Sequence, residues 1–306
     1  MFSKPHGVMF HHFHGQQHPI SQGSLDSDQF EAKVHFLIKN FNLLSPTEFT
    51  QKVTNNEIGI RDICLTFDDA LKSQFDIALP ILQKLKLKAF FFVYSSVFMG
   101  EPDQLEVYRH FRFTKFRDLE SFYGAFDRIF EEQFPQQFKT GKLEFERDGY
   151  LHAWPFYSPS DRWFRYSRDL ILEREQYRDL MNIMMSAYEF KIEQILNDLW
   201  MSTENICDIY SAGHSIGLHS YSHPTTIHKL ESSQQETEYR KNYEHLKSLK
   251  FNITSMAHPC GVFNSDTLRI LESLNIKIGF RSGHDVEEIK TNLEVPRLDH
   301  IYLPQR

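Results

Sequence analysis

The sequence predicts an α/β fold with parallel strands, read first as a small or irregular (β/α) barrel, with an open doubly wound sheet as the alternative. Two observations carry this. Seven short apolar runs of the kind that forms buried strands are mostly followed by stretches of helical period. The usual nucleotide-binding fingerprints, GxGxxG and GxxxxGK[ST], are missing, so nothing marks a dinucleotide or P-loop sheet.

In chain order, strands are expected at residues 7–13, 62–67, 88–94, 215–220, 253–258, 277–281 and 293–298. Residues 28–41 carry apolar side chains at Phe30, Val34, Leu37, Ile38 and Phe41, a helical spacing. Residues 75–87 repeat it with Ile77, Ile81 and Leu85, and Pro80 predicts a kink or a late helix start there. Residues 234–249 and 265–274 show the period again. From about 100 to 205 the rhythm breaks into a mostly helical stretch rich in Phe, Tyr, Arg and Glu, with a loop at 154–163 and a long helix over 173–200. We read one domain over residues 1–306 with a helical insertion at 100–205. The insertion is either a structural cap over aromatic residues or a substrate-selecting lid or homo-oligomer surface.

Composition narrows the function. The net charge of −7 and the lack of a long basic run argue against nucleic acid and anionic membrane surfaces as partners. No apolar run approaches the roughly 20 residues of a membrane span. Residues 1–13 lack the features of a signal peptide, so the expectation is a cytoplasmic protein. Three widely spaced cysteines make no disulfide framework.

Two stretches carry chemistry. The apolar run at 63–67 ends in Asp68-Asp69, and carboxylates at a buried strand end require partners. Asp69 alone could be a helix N-cap. The second stretch is His219-Ser220-Tyr221-Ser222-His223-Pro224, where Pro224 disfavours helix at His223 and suggests a strand end turning into a loop. One carboxylate and two imidazoles make a three-ligand site with an open position. That set suits one divalent metal, zinc first, with cobalt, nickel or manganese accommodated.

Here a resemblance becomes specific. Thr66-Phe67-Asp68-Asp69 resembles the first motif of the polysaccharide deacetylases with a NodB-type domain (carbohydrate esterase family four). His219 to Pro224 is similar to their second motif, Ala257-His258-Pro259-Cys260-Gly261-Val262-Phe263-Asn264 to their third, and residues 7–12 to their opening strand. The likeness covers about 7–100 and 205–300. It implies a distorted (β/α)7-type barrel in which Asp68 is the general base and Asp69, His219 and His223 hold the metal. It places Cys260, His258 and His11 on the substrate and oxyanion side. The implied activity is removal of an N-acyl group, acetyl ahead of formyl, from a sugar, nucleotide- or lipid-linked, in surface-glycan or activated-sugar biosynthesis. The alternatives are an inactive carbohydrate-binding barrel and an N-deformylase.

The sequence departs from the family where Ala257 replaces an arginine that orients the base and Cys260 replaces an aromatic residue. Arg297 is the candidate to restore that guanidinium, against a surface salt bridge. For the catalytic acid, His300 is nearest in order, with His11, His258 and His284 as rivals. Cys260 is read as a small pocket-lining residue or a reactive thiol.

Overall fold

The computed structural model describes residues 4–152, 157–283 and 290–304. The chain divides into two compact units, Met1–Asp103 with Leu196–Arg306, and Gln104–Ile195.

The first unit holds, among the described residues, eight strands: β1 (His6–Phe10), β2 (Asn42–Leu43), β3 (Asp62–Asp68), β4 (Phe90–Val93), β5 (Ser215–Leu218), β6 (Ser255–Ala257), β7 (Ile278–Phe280) and β8 (Arg297–Asp299). All ladders between them are parallel, in the order β7-β6-β5-β4-β3-β1-β8, with β2 beside the start of β3. The segment leading into β8 belongs to both edges. Val295 bridges Phe280 of β7, and Arg297 pairs with Gly7 of β1. This nearly closes a (β/α) barrel, as the sequence predicted.

Side-chain alternation along each strand decides what faces the interior. In β3, Ile63, Leu65 and Phe67 join the large cluster under the surrounding helices, while Cys64 joins a separate inner cluster. In β4, Phe91 and Val93 go outward and Phe90 and Phe92 inward. Asp68 therefore shares the inner face with Cys64 and Thr66, and Arg297 lies on the opposite face of β8 from Leu298, which packs outward.

The helix Ser27–Asn40 buries Phe30, Val34 and Leu37, and Asp26 and Gln29 form its capping box. Residues 74–87 begin as a π-turn at Gln74–Ala78 and become α-helical only over Leu79–Lys84, with Pro80 in the first α-helical turn. The helix Pro46–Thr54 was not anticipated. Its signal was in the sequence, a Ser45–Glu48 capping box with proline at the first position. Its Phe49 and Val53 join the inner cluster. The strand expected over 293–298 shrinks to Arg297–Asp299, because Val295 is claimed by β7.

The second unit is helical. Gln104–Lys115, Leu119–Gln133, Pro159–Tyr166 and Arg174–Ala187 bury Phe111, Phe122, Phe126 and Phe164, with Phe126 edge-on to Phe164 at 4.9 Å. The loop expected over 154–163 lies partly outside the described residues, and from Pro159 it is helix, capped by Ser158. The long helix expected over 173–200 ends at Ala187 and resumes as short turns. No described helix is long and apolar enough to cross a membrane.

Candidate active site

Asp68 ends β3, and the Asp69 N–H still donates to Phe92 O of β4 at 3.1 Å. Arg297, 1% exposed, donates from Nη1 to Asp68 Oδ1 at 2.6 Å. The guanidinium that the resemblance would seek at Ala257 reaches Asp68 from β8. Burial opposes the charge on Asp68, but Arg297, His219 and His11 overcome it and hold the carboxyl well below the usual range.

Positive φ at Asp69 (76°) and Ala70 (52°) turns the chain at the strand end. His219 follows β5 directly. Its ring Nδ1 lies 2.8 Å from Ala257 O. A carbonyl only accepts, so Nδ1 carries a proton and Nε2 is the ring nitrogen turned toward the acidic pair. That Nε2 is 3.4 Å from Asp69 Oδ1, and His223 Nε2 is 3.7 Å from the same oxygen. His223 Nδ1 lies 3.3 Å from Asp103 Oδ2, at ion-pair distance but without hydrogen-bond alignment. Ser220, His223 and Cys260 also have positive φ, at 64°, 54° and 51°. Five of the eleven non-glycine residues with positive φ among the described residues thus lie around these side chains, and the other six lie elsewhere.

The loop carrying the histidines is held by the helix Ser232–Ser248. Asn242 accepts from His219 N (2.9 Å) and donates to Val93 O (2.9 Å) and Ser95 Oγ (2.7 Å). One turn earlier, Glu238 accepts from Tyr221 N, Ser222 N and Ser222 Oγ at 3.1, 2.8 and 2.8 Å. Gln74 Nε2 donates to both Asp68 O (2.6 Å) and His11 O (2.9 Å), joining the ends of β1 and β3. The sequence reading missed these residues and Asp103. The spacing of Glu238 and Asn242, four apart on one helix face, was the one available signal.

The residues fit a divalent ion. Asp69 Oδ1 is buried without a hydrogen-bond partner, facing two imidazoles. The ligand atoms of Asp69, His219 and His223 all lie within 4.8 Å of one another, close to the span of two bonds of about 2 Å to one shared ion. Asp103 and Asp69 overcome the effect of burial and push the His223 imidazolium up to about 9. The field that favours a proton there favours a metal cation in its place.

His11 Nε2 is 3.5 Å from Asp68 Oδ2 and 3.9 Å from Asp69 Oδ2, with the side chain 26% exposed. Burial lowers its pKa, but Asp68 and Asp69 raise it further, and the net shift is upward. His300 is different. It stacks on Phe10 at 5.4 Å, and burial pushes it down to about 4, so near neutrality it has no proton to give. His258 is fully buried, with Nε2 2.8 Å from Leu293 O and its ring stacked on Phe263, which makes it a core strut and not a substrate contact. His284 lies outside the described residues. Cys260 is surface-exposed, yet withdrawal of its thiol from bulk water and then the charges of Asp69, Asp103 and Asp68 push it up to about 11, which keeps it a thiol.

Comparison with known proteins bears on the fold and the family. A search of curated proteins by sequence found no match. Among solved structures, a Streptococcus pyogenes deacetylase, PplD, in complex with acetate is similar at TM-score 0.57 and 17% identity, covering 97% of this chain and 92% of that one. IcaB from Ammonifex degensii is similar at TM-score 0.57 and 14% identity, covering 97% and 91%. A de-N-acetylase from Aggregatibacter actinomycetemcomitans is similar at TM-score 0.53 and 10% identity, covering 96% and 94%. At such identities these likenesses establish the barrel fold. The sequence profile of the polysaccharide deacetylases matches residues 55–112 and 179–279, more than half of the chain and including both the Asp68-Asp69 and the His219–His223 stretches. On that match, this chain belongs to the polysaccharide deacetylase family and is a carbohydrate deacetylase.

Proposed function

We propose that this chain removes the N-acetyl group of an amino sugar with the help of one divalent metal ion held by Asp69, His219 and His223, zinc being the first candidate. The observation that carries the reading is a division of labour between adjacent carboxylates. Asp69 aims a buried, unbonded oxygen between two imidazole Nε2 atoms, while Asp68 is engaged by Arg297.

When bound, the ion supplies Lewis-acid polarisation of the acyl carbonyl and lowers the pKa of water. Asp68, kept ionised by Arg297, takes the proton of the water that attacks the carbonyl carbon. The Cys260 backbone N–H, on its positive-φ turn, donates to the developing oxyanion. The C–N bond breaks, and His11, which faces Asp68 from the end of β1, protonates the departing amine. The products are acetate and the free amino sugar.

The test is metal analysis of purified protein combined with acetate release from N-acetylated sugars, free and nucleotide- or lipid-linked, with formate assayed in parallel. Asp69→Asn is expected to lose the metal and turnover together. Asp68→Asn is expected to keep the metal and lose turnover. Retained metal in Asp69→Asn refutes the ligand assignment. Substrate affinity with no turnover in the unmodified chain would make it a binding barrel, and formate release without acetate would make it a deformylase.

A further inference from the structure

The helical unit contains a cavity of about 190 Å³ that the hydrolytic site does not use. Four guanidinium groups line it, Arg109, Arg112, Arg165 and Arg168, against one carboxylate, Glu106. Arg165 pairs with Asp161 at 2.7 Å, and Arg168 makes a two-pronged pair with Asp169 at 2.6 and 3.0 Å. Arg112 has no carboxylate within ion-pair distance among the described residues. Its guanidinium lies over the rings of Phe113 and Phe122, at 4.8 and 5.8 Å, and its Nε is buried with no hydrogen-bond partner. Tyr108, 5% exposed, also lines the cavity, and its hydroxyl is buried without a partner. A half-buried guanidinium whose Nε lacks an acceptor and an idle buried hydroxyl in one chamber carry a cost that an incoming acceptor would relieve.

The geometry points to a binding site for a phosphoryl group in the helical unit, with Arg112 and Tyr108 as its donors. A phosphoryl oxyanion carries more than one charge and several acceptor oxygens, and the planar fork of arginine matches it. A carboxylate has only two acceptor oxygens, too few to serve the guanidinium and the hydroxyl together as well as a phosphoryl group does. The same chemistry is offered by inorganic phosphate or pyrophosphate and by a nucleoside diphosphate, and Phe122, Phe164 and Tyr177 line the same cavity, so a base would have ring faces beside it.

Titration calorimetry on the full chain tests this, with pyrophosphate and a nucleoside diphosphate as probes and acetate at matched ionic strength as the control. Saturable binding of pyrophosphate is expected. Arg112→Met should weaken it at least ~10-fold, since a hydrogen bond to a charged group is lost together with the charge. Tyr108→Phe, which keeps the ring, should weaken it roughly 5-fold or more, and it remains informative if Arg112→Met fails to fold. Asp69→Asn should leave it unchanged. Tighter binding of the nucleoside diphosphate would identify a nucleotide source, and equal binding the free oxyanion. No saturable binding, undiminished binding in Arg112→Met and Tyr108→Phe, or loss of binding in Asp69→Asn would each overturn the proposal.

Discussion

Removing the Arg297 guanidinium leaves Asp68 as a buried carboxylate stripped of its ion pair. The two groups meet at 2.6 Å with both side chains almost wholly enclosed. At a charge separation of about 4 Å and an effective dielectric near 20, the attraction is about 4 kcal/mol. That corresponds to roughly a thousandfold in the protonation equilibrium of Asp68. Burial, the largest influence on this carboxyl, pushes the other way, so losing Arg297 hands the balance toward the protonated form, with His219 and His11 as the remaining restraint. Breaking a buried pair also costs stability, about 3–5 kcal/mol. The perturbation is Arg297→Gln, with Arg297→Lys keeping the charge but losing the fork. The assay is kcat/KM for acetate release from pH 4 to 9, with a chemical melt at each pH. In the unmodified chain the acid limb set by Asp68 lies below the accessible range. In Arg297→Gln it should rise toward neutrality while metal content stays full, and Arg297→Lys should restore most of the shift. A folded, metal-loaded Arg297→Gln protein with an unmoved acid limb would refute the assignment of Arg297 as the group that keeps the base ionised.

Three further outcomes are expected. Asp103→Ala should weaken metal affinity about 10- to 100-fold, measured by chelator competition, because the negative charge beside His223 Nδ1 that favours a cation at that ring is lost. Gly217→Ala should destabilise by about 3 kcal/mol in a denaturant melt, because its Cβ would meet Ser255 O and Phe92 Cδ1 at 2.7 Å directly beneath His219. Stability should also fall in mild acid: burial, and then Lys88, push His214 down to about 4 from 6.5. A lowered histidine pKa means this contribution is complete above 6.5 and lost as pH falls toward 4, about 2 kcal/mol between pH 7 and pH 5. Melts of His214→Gln at both pH values should show a shallower decline, and an unchanged slope would count against it.

What could be read in the sequence was local. The strand 62–68 announces itself by an apolar run that stops at two aspartates, and Pro224 makes the His219–His223 stretch a loop, whatever surrounds them. The regular helices at 27–40, 232–248 and 265–273 follow from period and caps, and the same capping logic, had it been applied at Ser45, would have revealed the helix Pro46–Thr54. The broken helix at 173–200 shows the limit of period alone, since packing ends a helix where its apolar face loses support.

Burial and distance belong to the tertiary structure. By order along the chain His300 was the first candidate for the acid and His11 a rival, but His300 is enclosed against Phe10 and neutral, while His11 stands partly open beside Asp68. A helix period cannot distinguish a polar residue facing water from one facing the core, so Asn242 looked like any surface position until it was found buried and binding the His219 amide. Arg297 and Asp68 are 229 residues apart and meet because β8 lies beside β1, and β1 beside β3, in a closing ring of strands. Chemistry of single residues is written in the chain, but which of them keeps its proton, its charge or its water is decided by the neighbours that the fold brings to it.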